Sequence, residues 1–327
     1  MAVDWKRMMR GARTILDDCA SVKAGEQVLI VTDTELVKIG RALEAIAYER
    51  DAEPVLMMIR PRDMDGQEPP DSVAEAMKRA DVVLAPVSRS ITHTRAVKEA
   101  ASAGARILVM TAFTERLMTS GGIEADFRAQ RPVCLRLAEL FTEASTVRLT
   151  TPAGTDLDMD IRGRRGNALT CVVDEPGMFS PVPNVEANVS PVEGSTEGVI
   201  VVDASVPYIG IGLLREPVRM RVEGGFITEI RGGEQADALR RDLEEKDDPN
   251  VYNIAELGVG LNPKSRMTGV MLDDEGVLGS AHIGIGTNIT LGGRVKAAVH
   301  YDLVIWRPTI ELDGQRVTEE GKIKFRV

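Results

Sequence analysis

His300 and Asp302 lie two residues apart in the strand-like run AVHYDLVI. Side chains two apart leave a strand on the same face, so these two project together and Tyr301 projects to the other side. An imidazole beside a carboxylate can share a divalent cation, or the carboxylate can orient the imidazole. The chain has only 3 histidines, so the placement of the other two is informative. His282 lies in GSAHIGIGTN, where Gly279, Gly284 and Gly286 let backbone and ligands approach closely. Glu256 falls in AELGVGLNP, an otherwise apolar stretch where an unpaired carboxylate would be costly. Glu186 and Glu193 occupy the Pro-punctuated segment SPVPNVEANVSPVEGSTEG. Taken singly, each has a plainer reading as a solvated carboxylate, a polar strand pair or a core histidine. Taken together, Glu186, Glu256, His282, His300 and Asp302 form a mixed N/O set suited to divalent Zn, Co, Mn or Fe. Two such ions balance the three carboxylates and one bridging hydroxide, the nucleophile of two-metal hydrolases.

His93 follows the apolar run DVVLAPV, with Thr92 as the expected N-cap of the next helix. Ligands of open α/β sheets bind beyond the carboxyl ends of strands, so a neutral His93 is a candidate general base, with a cap-associated structural histidine as the plainer reading. Glu193 is a second candidate for moving a proton. Asp156, Asp158 and Asp160 in TDLDMDI imitate the start of a calcium loop, but Ile161 replaces the glycine such a loop needs. Alternation along a strand accounts for them better. No GxSxG elbow or reactive-cysteine signature is present.

The elements that must position these residues fall into two patterns. In residues 1–145, continuous Val/Ile/Leu runs (EQVLIVTD, EPVLMMI, ADVVLAPV, ARILVMT) alternate with helical periodicity. That pattern predicts an α/β domain with a doubly wound parallel sheet covered on both faces. It carries no GxGxxG or GxxxxGK[ST] between strand and helix, which argues against nucleotide binding. A helix over Phe127 to Ala144 closes this half. Residues 146–327 read as a β-rich α+β domain with Gly and Pro punctuation and one acidic helix in EQADALRRDLEEKDD. The metal-ligand candidates all lie in this second half.

Composition excludes several partners. The 327 residues carry a net charge of -10, which repels phosphate backbones. Six Phe, 2 Trp and 4 Tyr are too few for base-stacking platforms. No apolar run approaches the ~20 residues of a membrane span. The opening run MAVDWKRMMRGARTILDD lacks the apolar core of a signal peptide. Cys19, Cys134 and Cys171 are odd in number and form no CxxC pair, as in reduced cytoplasmic proteins.

The segments PNVEANVSPVEGSTEGVIVVD, AELGVGLNP, GSAHIGIGTN and VHYDLVI, in that order, resemble the aminopeptidase T / aminopeptidase S metallopeptidases. The likeness covers roughly residues 180–315 and extends more loosely over the first half. It implies two metal ions held by Glu186, Glu256, His282, His300 and Asp302, a small-molecule or peptide substrate, and a homodimer. Where that family also places a Tyr after the third motif's His, this chain has Asn288. A related branch, the Fe(II) ring-cleaving 2,5-dihydroxypyridine dioxygenases, shares the final HxD. Members of that branch place an iron-binding His where this chain has Glu256 and lack a His at the position of His282. On those positions the sequence sides with the hydrolases. Even so, His282, His300 and Asp302 could make a two-histidine, one-carboxylate iron triad. The expectation is therefore a cytoplasmic metallo-aminopeptidase, with the iron dioxygenase as alternative and a non-catalytic binding protein as a third reading.

Overall fold

The computed structural model describes residues 4–327. The apolar runs of the first half become parallel strands; three of them, Gln27–Asp33, Val82–Val87 and Arg106–Thr111, are buried on both faces, while Glu53–Ile59 at the sheet edge stays partly exposed. Their order across the sheet is Glu53–Ile59, Gln27–Asp33, Val82–Val87, Arg106–Thr111 and Phe179–Pro181, all parallel. Chain order reverses between the second and third of these, the signature of a doubly wound sheet. The helices Val37–Glu49, Asp71–Met77 and Arg95–Ser102 alternate with the strands. The expected α/β fold with a β-rich second part is present.

The division of the chain is less simple than a break near residue 145. One compact unit runs through Arg131 and takes back Thr170–Pro183; the other comprises Pro132–Leu169 and Asn184–Val327. The boundary thus falls within the continuous helix Phe127–Glu143. Phe179–Pro181, too short and Pro-bearing to read as a strand in sequence, returns to pair with Arg106–Thr111.

The second unit holds two antiparallel sheets. Eight strands run in the order Phe226–Arg231, Val218–Glu223, Glu197–Val202, Asp156–Asp160, Thr146–Thr150, Thr309–Leu312, Gln315–Glu319 and Lys322–Ile323. Asp156–Asp160 alternates exposed and buried side chains, as a half-buried strand must, and forms no calcium loop. The other sheet has seven strands, with Glu186–Val189, Ile254–Gly260, Ser280–Gly286 and His300–Trp306 side by side at its centre. Nearly every residue of these four strands is buried.

In the first unit, Asp33 ends the second strand of the parallel sheet, Gln27–Asp33, and is buried. Its carboxylate accepts from the backbone N–H groups of Glu35 at 3.0 Å, Leu36 at 3.2 Å and Ser88 at 2.6 Å. It therefore ties the ends of two neighbouring strands together. Removing the carboxylate strands buried donors, at about 1–3 kcal/mol each. Asp33→Ala is expected to lower the unfolding free energy by at least about 2 kcal/mol, read as a shift of the urea midpoint at unchanged slope.

Candidate metal centre

Antiparallel register explains how scattered residues meet. Opposed residues share a face, and the pairs Glu186↔Gly260, Gly258↔His282, Glu256↔Gly284, Gly284↔Asp302 and Gly286↔His300 fix the rows. With period two along each strand, Glu186, Glu256, His282, His300 and Asp302 all project from one face. Glycines 258, 260, 284 and 286 fill the positions between them. The intervening Leu257, Val259, Ile283, Ile285 and Leu303 turn to the other face and into the core. The GVG and GIG motifs thus serve as spacers within strands.

All four of these glycines are sterically required: Gly260 and Gly286 by backbone carbonyls 2.4 Å and 2.1 Å from an added Cβ, Gly258 and Gly284 by the donors themselves. A Cβ on Gly258 would come within 2.0 Å of His282 Nε2. One on Gly284 would lie 2.7 Å from Glu256 Cβ, 2.9 Å from His300 Cε1 and 3.0 Å from Asp302 Oδ1.

The donors assemble into two sets sharing a member. Glu186, Glu256 and His282 form one; Glu256, His300 and Asp302 form the other, and in each set the ligand atoms lie within 4.8 Å of one another. His282 Nε2 stands 3.8 Å from an oxygen of each of Glu186, Glu256 and Asp302. That is too long for hydrogen bonds, and metal bonds of roughly 2.0–2.2 Å place two ligands of one ion about 3–4 Å apart. His300 Nε2 is 3.0 Å from Glu256 and 3.3 Å from Asp302. Its Nδ1 lies 2.7 Å from the Thr287 carbonyl, which can only accept, so Nδ1 carries the proton and Nε2 faces the carboxylates. A triad of His282, His300 and Asp302 is not among the sets formed by the described residues; each imidazole instead belongs to its own set.

Charge and burial work against each other throughout. Burial disfavours the His282 imidazolium, but Glu186, Glu256 and Asp302 outweigh it and raise the imidazole to about 9. His300 is likewise raised, burial being overcome by Asp302 and Glu256. Asp302 is held well below the usual carboxylate range: burial opposes ionisation, but His300, His282 and Tyr208 favour it. Burial and Glu256 push Glu186 up to about 7 against the pull of His282, Asn188 and Asn184. Both Glu186 oxygens accept amide hydrogen bonds, from Asn184 at 2.7 Å and Asn188 at 2.6 Å. Even so, Asp302 Oδ1 and His282 Nδ1 are buried with no hydrogen-bond partner. A buried N/O donor set with polar atoms left over fits a divalent cation.

Two neighbours were not anticipated. The Tyr208 hydroxyl donates to Asp302 Oδ2 at 2.7 Å and lies 3.1 Å from Glu275 Oε1. Glu275 is a fourth buried carboxyl group, raised well above its ordinary value by burial and by Asp302, Glu186 and Glu256. In sequence it reads as part of a solvated DDEG turn, and Tyr208 carries no local signal. Asn184 and Asn188 were not singled out in sequence either, although their spacing of two residues on each side of Glu186 in PNVEANV was a signal that could have found them.

Among the described residues neither proton-transfer candidate belongs to a donor set. Glu193 pairs with Arg164 and accepts from Asn288 Nδ2 at 3.1 Å and the Arg294 backbone N–H at 2.7 Å. Burial opposes its charge, but these donors hold it down to about 2, where it takes no proton near neutrality. Asn288, at the position of the resemblance's Tyr, bonds Ser190 and Glu193 and supports this loop. His93 is exposed in a turn of the first unit. The cap of the following helix is Thr94, not Thr92: its side chain accepts from Val97 N–H, because the helix begins at Arg95.

The sequence model of the 2,5-dihydroxypyridine 5,6-dioxygenase family matches residues 7–325. A 2,5-dihydroxypyridine 5,6-dioxygenase from Pseudomonas putida is 27% identical over 260 residues, 76% of this chain and 72% of that protein. Among solved structures, 2,5-dihydroxypyridine dioxygenase from Pseudomonas putida aligns with TM-score 0.84 at 21% identity over 99% of both chains. Wild-type AmpT from Thermus thermophilus aligns with TM-score 0.69 at 17% identity, covering 98% of this chain and 99% of that one. The family model and the sequence relative correct the expected aminopeptidase-type hydrolase and protease: both are 2,5-dihydroxypyridine 5,6-dioxygenases. Five ligand-type residues could not make that distinction, because the fold that carries them is common to both kinds of neighbour. Among the described residues no helix is long and apolar enough to cross a membrane.

Two consequences of this geometry are measurable. Gly258→Ala forces a methyl group into the space of His282 and is expected to cost about 1–3 kcal/mol of stability, read by urea unfolding in the presence of a chelator. Glu193, depressed in the folded state, adds stability that is full above its unfolded pKa of about 4.3 and lost as pH falls towards 2. Glu193→Gln should remove on the order of 2 kcal/mol near neutrality. Its stability curve should then fall less steeply than wild type below about pH 4.5.

Proposed function

The chain belongs to the 2,5-dihydroxypyridine 5,6-dioxygenase family, and on that premise we propose that it opens the ring of a small dihydroxypyridine-like heterocycle with molecular oxygen, using divalent iron. The family match over residues 7–325 carries this reading. The buried donor sets support it, since iron takes imidazole and carboxylate ligands together.

In this reading Glu256, a carboxylate where the resemblance places a histidine, holds the iron together with His300 and Asp302. Their set contains the one donor with appreciable access, the His300 side chain at 27% exposure against 7% or less for the other four. Bound iron would supply the one-electron chemistry that lets O2 react with an electron-rich ring. Glu186, Glu256 and His282 would take a second divalent cation, Glu256 offering one oxygen to each set. The Thr287 carbonyl keeps the His300 ring turned so that Nε2, not Nδ1, faces the carboxylates. Asn184 and Asn188 fix both oxygens of Glu186. The closely packed, buried strands around the site exclude water from all but the His300 edge.

The test is an oxygen electrode with iron-loaded protein and 2,5-dihydroxypyridine, beside metal analysis of the same sample. Oxygen uptake matching ring loss, with two divalent ions per chain, is expected; Glu256→Gln should reduce kcat/KM by more than about 100-fold and lower the metal content. No oxygen uptake with any hydroxylated pyridine would overturn the reaction. One ion per chain would overturn the second cation alone.

A further inference from the structure

We infer that Tyr208 is a positioning residue for Asp302: its hydroxyl fixes Asp302 Oδ2 and thereby presents Oδ1 to the cation. This rests on the proposed cation set Glu256–His300–Asp302. The two oxygens of Asp302 have unlike surroundings. Oδ2 accepts the Tyr208 hydroxyl at 2.7 Å, a short and therefore strong bond to a carboxylate. Oδ1 has no hydrogen-bond partner, yet it is the Asp302 oxygen that faces both imidazoles, 3.3 Å from His300 Nε2 and 3.8 Å from His282 Nε2. A carboxylate bonded through one oxygen cannot rotate about χ2, so the bare oxygen stays directed at the imidazoles.

The tyrosine is itself held. Its ring stacks on Tyr301 with centroids 4.7 Å apart and planes at 28°. Tyr301 is anchored at its far end by donating to Asp242 at 3.0 Å. Behind the hydroxyl lies Glu275 Oε1 at 3.1 Å, and Glu275 Oε2 is 3.5 Å from Asn184 Nδ2, which also bonds Glu186. A continuous chain, Asp302–Tyr208–Glu275–Asn184–Glu186, buried except at the half-buried Tyr208, therefore joins a member of one donor set to a member of the other. Tyr208 is its only phenol and supplies the hydroxyl bonded to Asp302. Tyr208 sits on the loop PYIGIG, far in sequence from every ligand candidate, so it reaches Asp302 through the strand pairing Ser205↔Val304.

The experiment titrates Mn2+ alone, without oxygen or substrate, into chelator-treated protein and reads affinity by calorimetry. Tyr208→Phe keeps the ring and the stack but removes the hydroxyl, and should weaken Mn2+ affinity 10–100-fold. Tyr301→Phe, which keeps the stack and loses only the bond to Asp242, should change it less than about 3-fold, as should Glu275→Gln, which keeps Tyr208 bonded to Asp302. Melting of the metal-free proteins separates positioning from general loosening: the Tyr208→Phe loss should appear with a melting temperature close to wild type. Wild-type affinity in Tyr208→Phe, or an equal loss in Glu275→Gln, overturns the inference while leaving the cation set standing. Absence of Mn2+ binding by wild type overturns both. If Tyr208→Phe does not fold, the wild-type ultraviolet difference spectrum on Zn2+ addition decides: a tyrosine band that persists in Tyr301→Phe supports the inference, and its absence overturns it.

Discussion

The second unit is organised around one electrostatic problem: three carboxyl groups and two imidazoles share one face of a buried sheet, and a fourth carboxyl, Glu275 at the end of the helix Met271–Asp274, joins them through Tyr208 and Asn184. Glu186, Glu256, Glu275, His282 and Asp302 are each 6% exposed or less. Like charges at such spacing repel strongly in a medium of low dielectric, and unpaired buried polar atoms are costly. Part of the cost is met locally. Asn184 and Asn188 saturate Glu186, Tyr208 bonds Asp302, and the Thr287 carbonyl takes the His300 proton. The partners stop short of Asp302 Oδ1 and His282 Nδ1. A polar network left incomplete is less stable than either a finished network or an apolar core, so these atoms mark where a further partner is needed.

The sheet is what keeps the arrangement from relaxing. Side chains on paired strands cannot drift apart without breaking the ladder, and the ladder here continues through four central strands with their core faces packed by Leu257, Ile283, Ile285, Leu303 and Ile305. The row Glu256–Gly284–Asp302 shows the principle at its simplest. Two carboxylates two strands apart converge because the residue between them has no side chain. Donors fixed by strand register hold their geometry better than donors on loops.

That same register made much of the site readable in advance. Period-two spacing placed His300 with Asp302 on one face, and the strand-forming character of the parallel runs followed from their unbroken apolar composition. Glu256 was harder, since AELGVGLNP reads as a loop when its glycines are taken as breakers, not as spacers within a strand. Tyr208 and Glu275 were invisible because their roles depend on side-chain approach across 94 and 27 residues of sequence to Asp302, which no local pattern encodes. The division of the chain failed to appear for a related reason: three residues, Phe179–Pro181, complete a sheet whose other members lie far upstream. Near His93 the error was one of register along a helix end, with Thr92 and Thr94 both of capping type and only the latter adjacent to Arg95.

The identity of the reaction lies at a different level from the identity of the ligands. Imidazole and carboxylate donors determine which cations fit, and they leave open whether a bound ion would act on water or on oxygen. The five candidates pointed to hydrolysis in sequence, whereas the similarity that corrects this extends over residues 7–325. What the local geometry adds is a direction of approach. Four of the five donors are sealed beneath the sheet's neighbours, and His300 alone retains appreciable exposure. In the proposed reading, the His300 edge is therefore where a substrate would meet the donor sets.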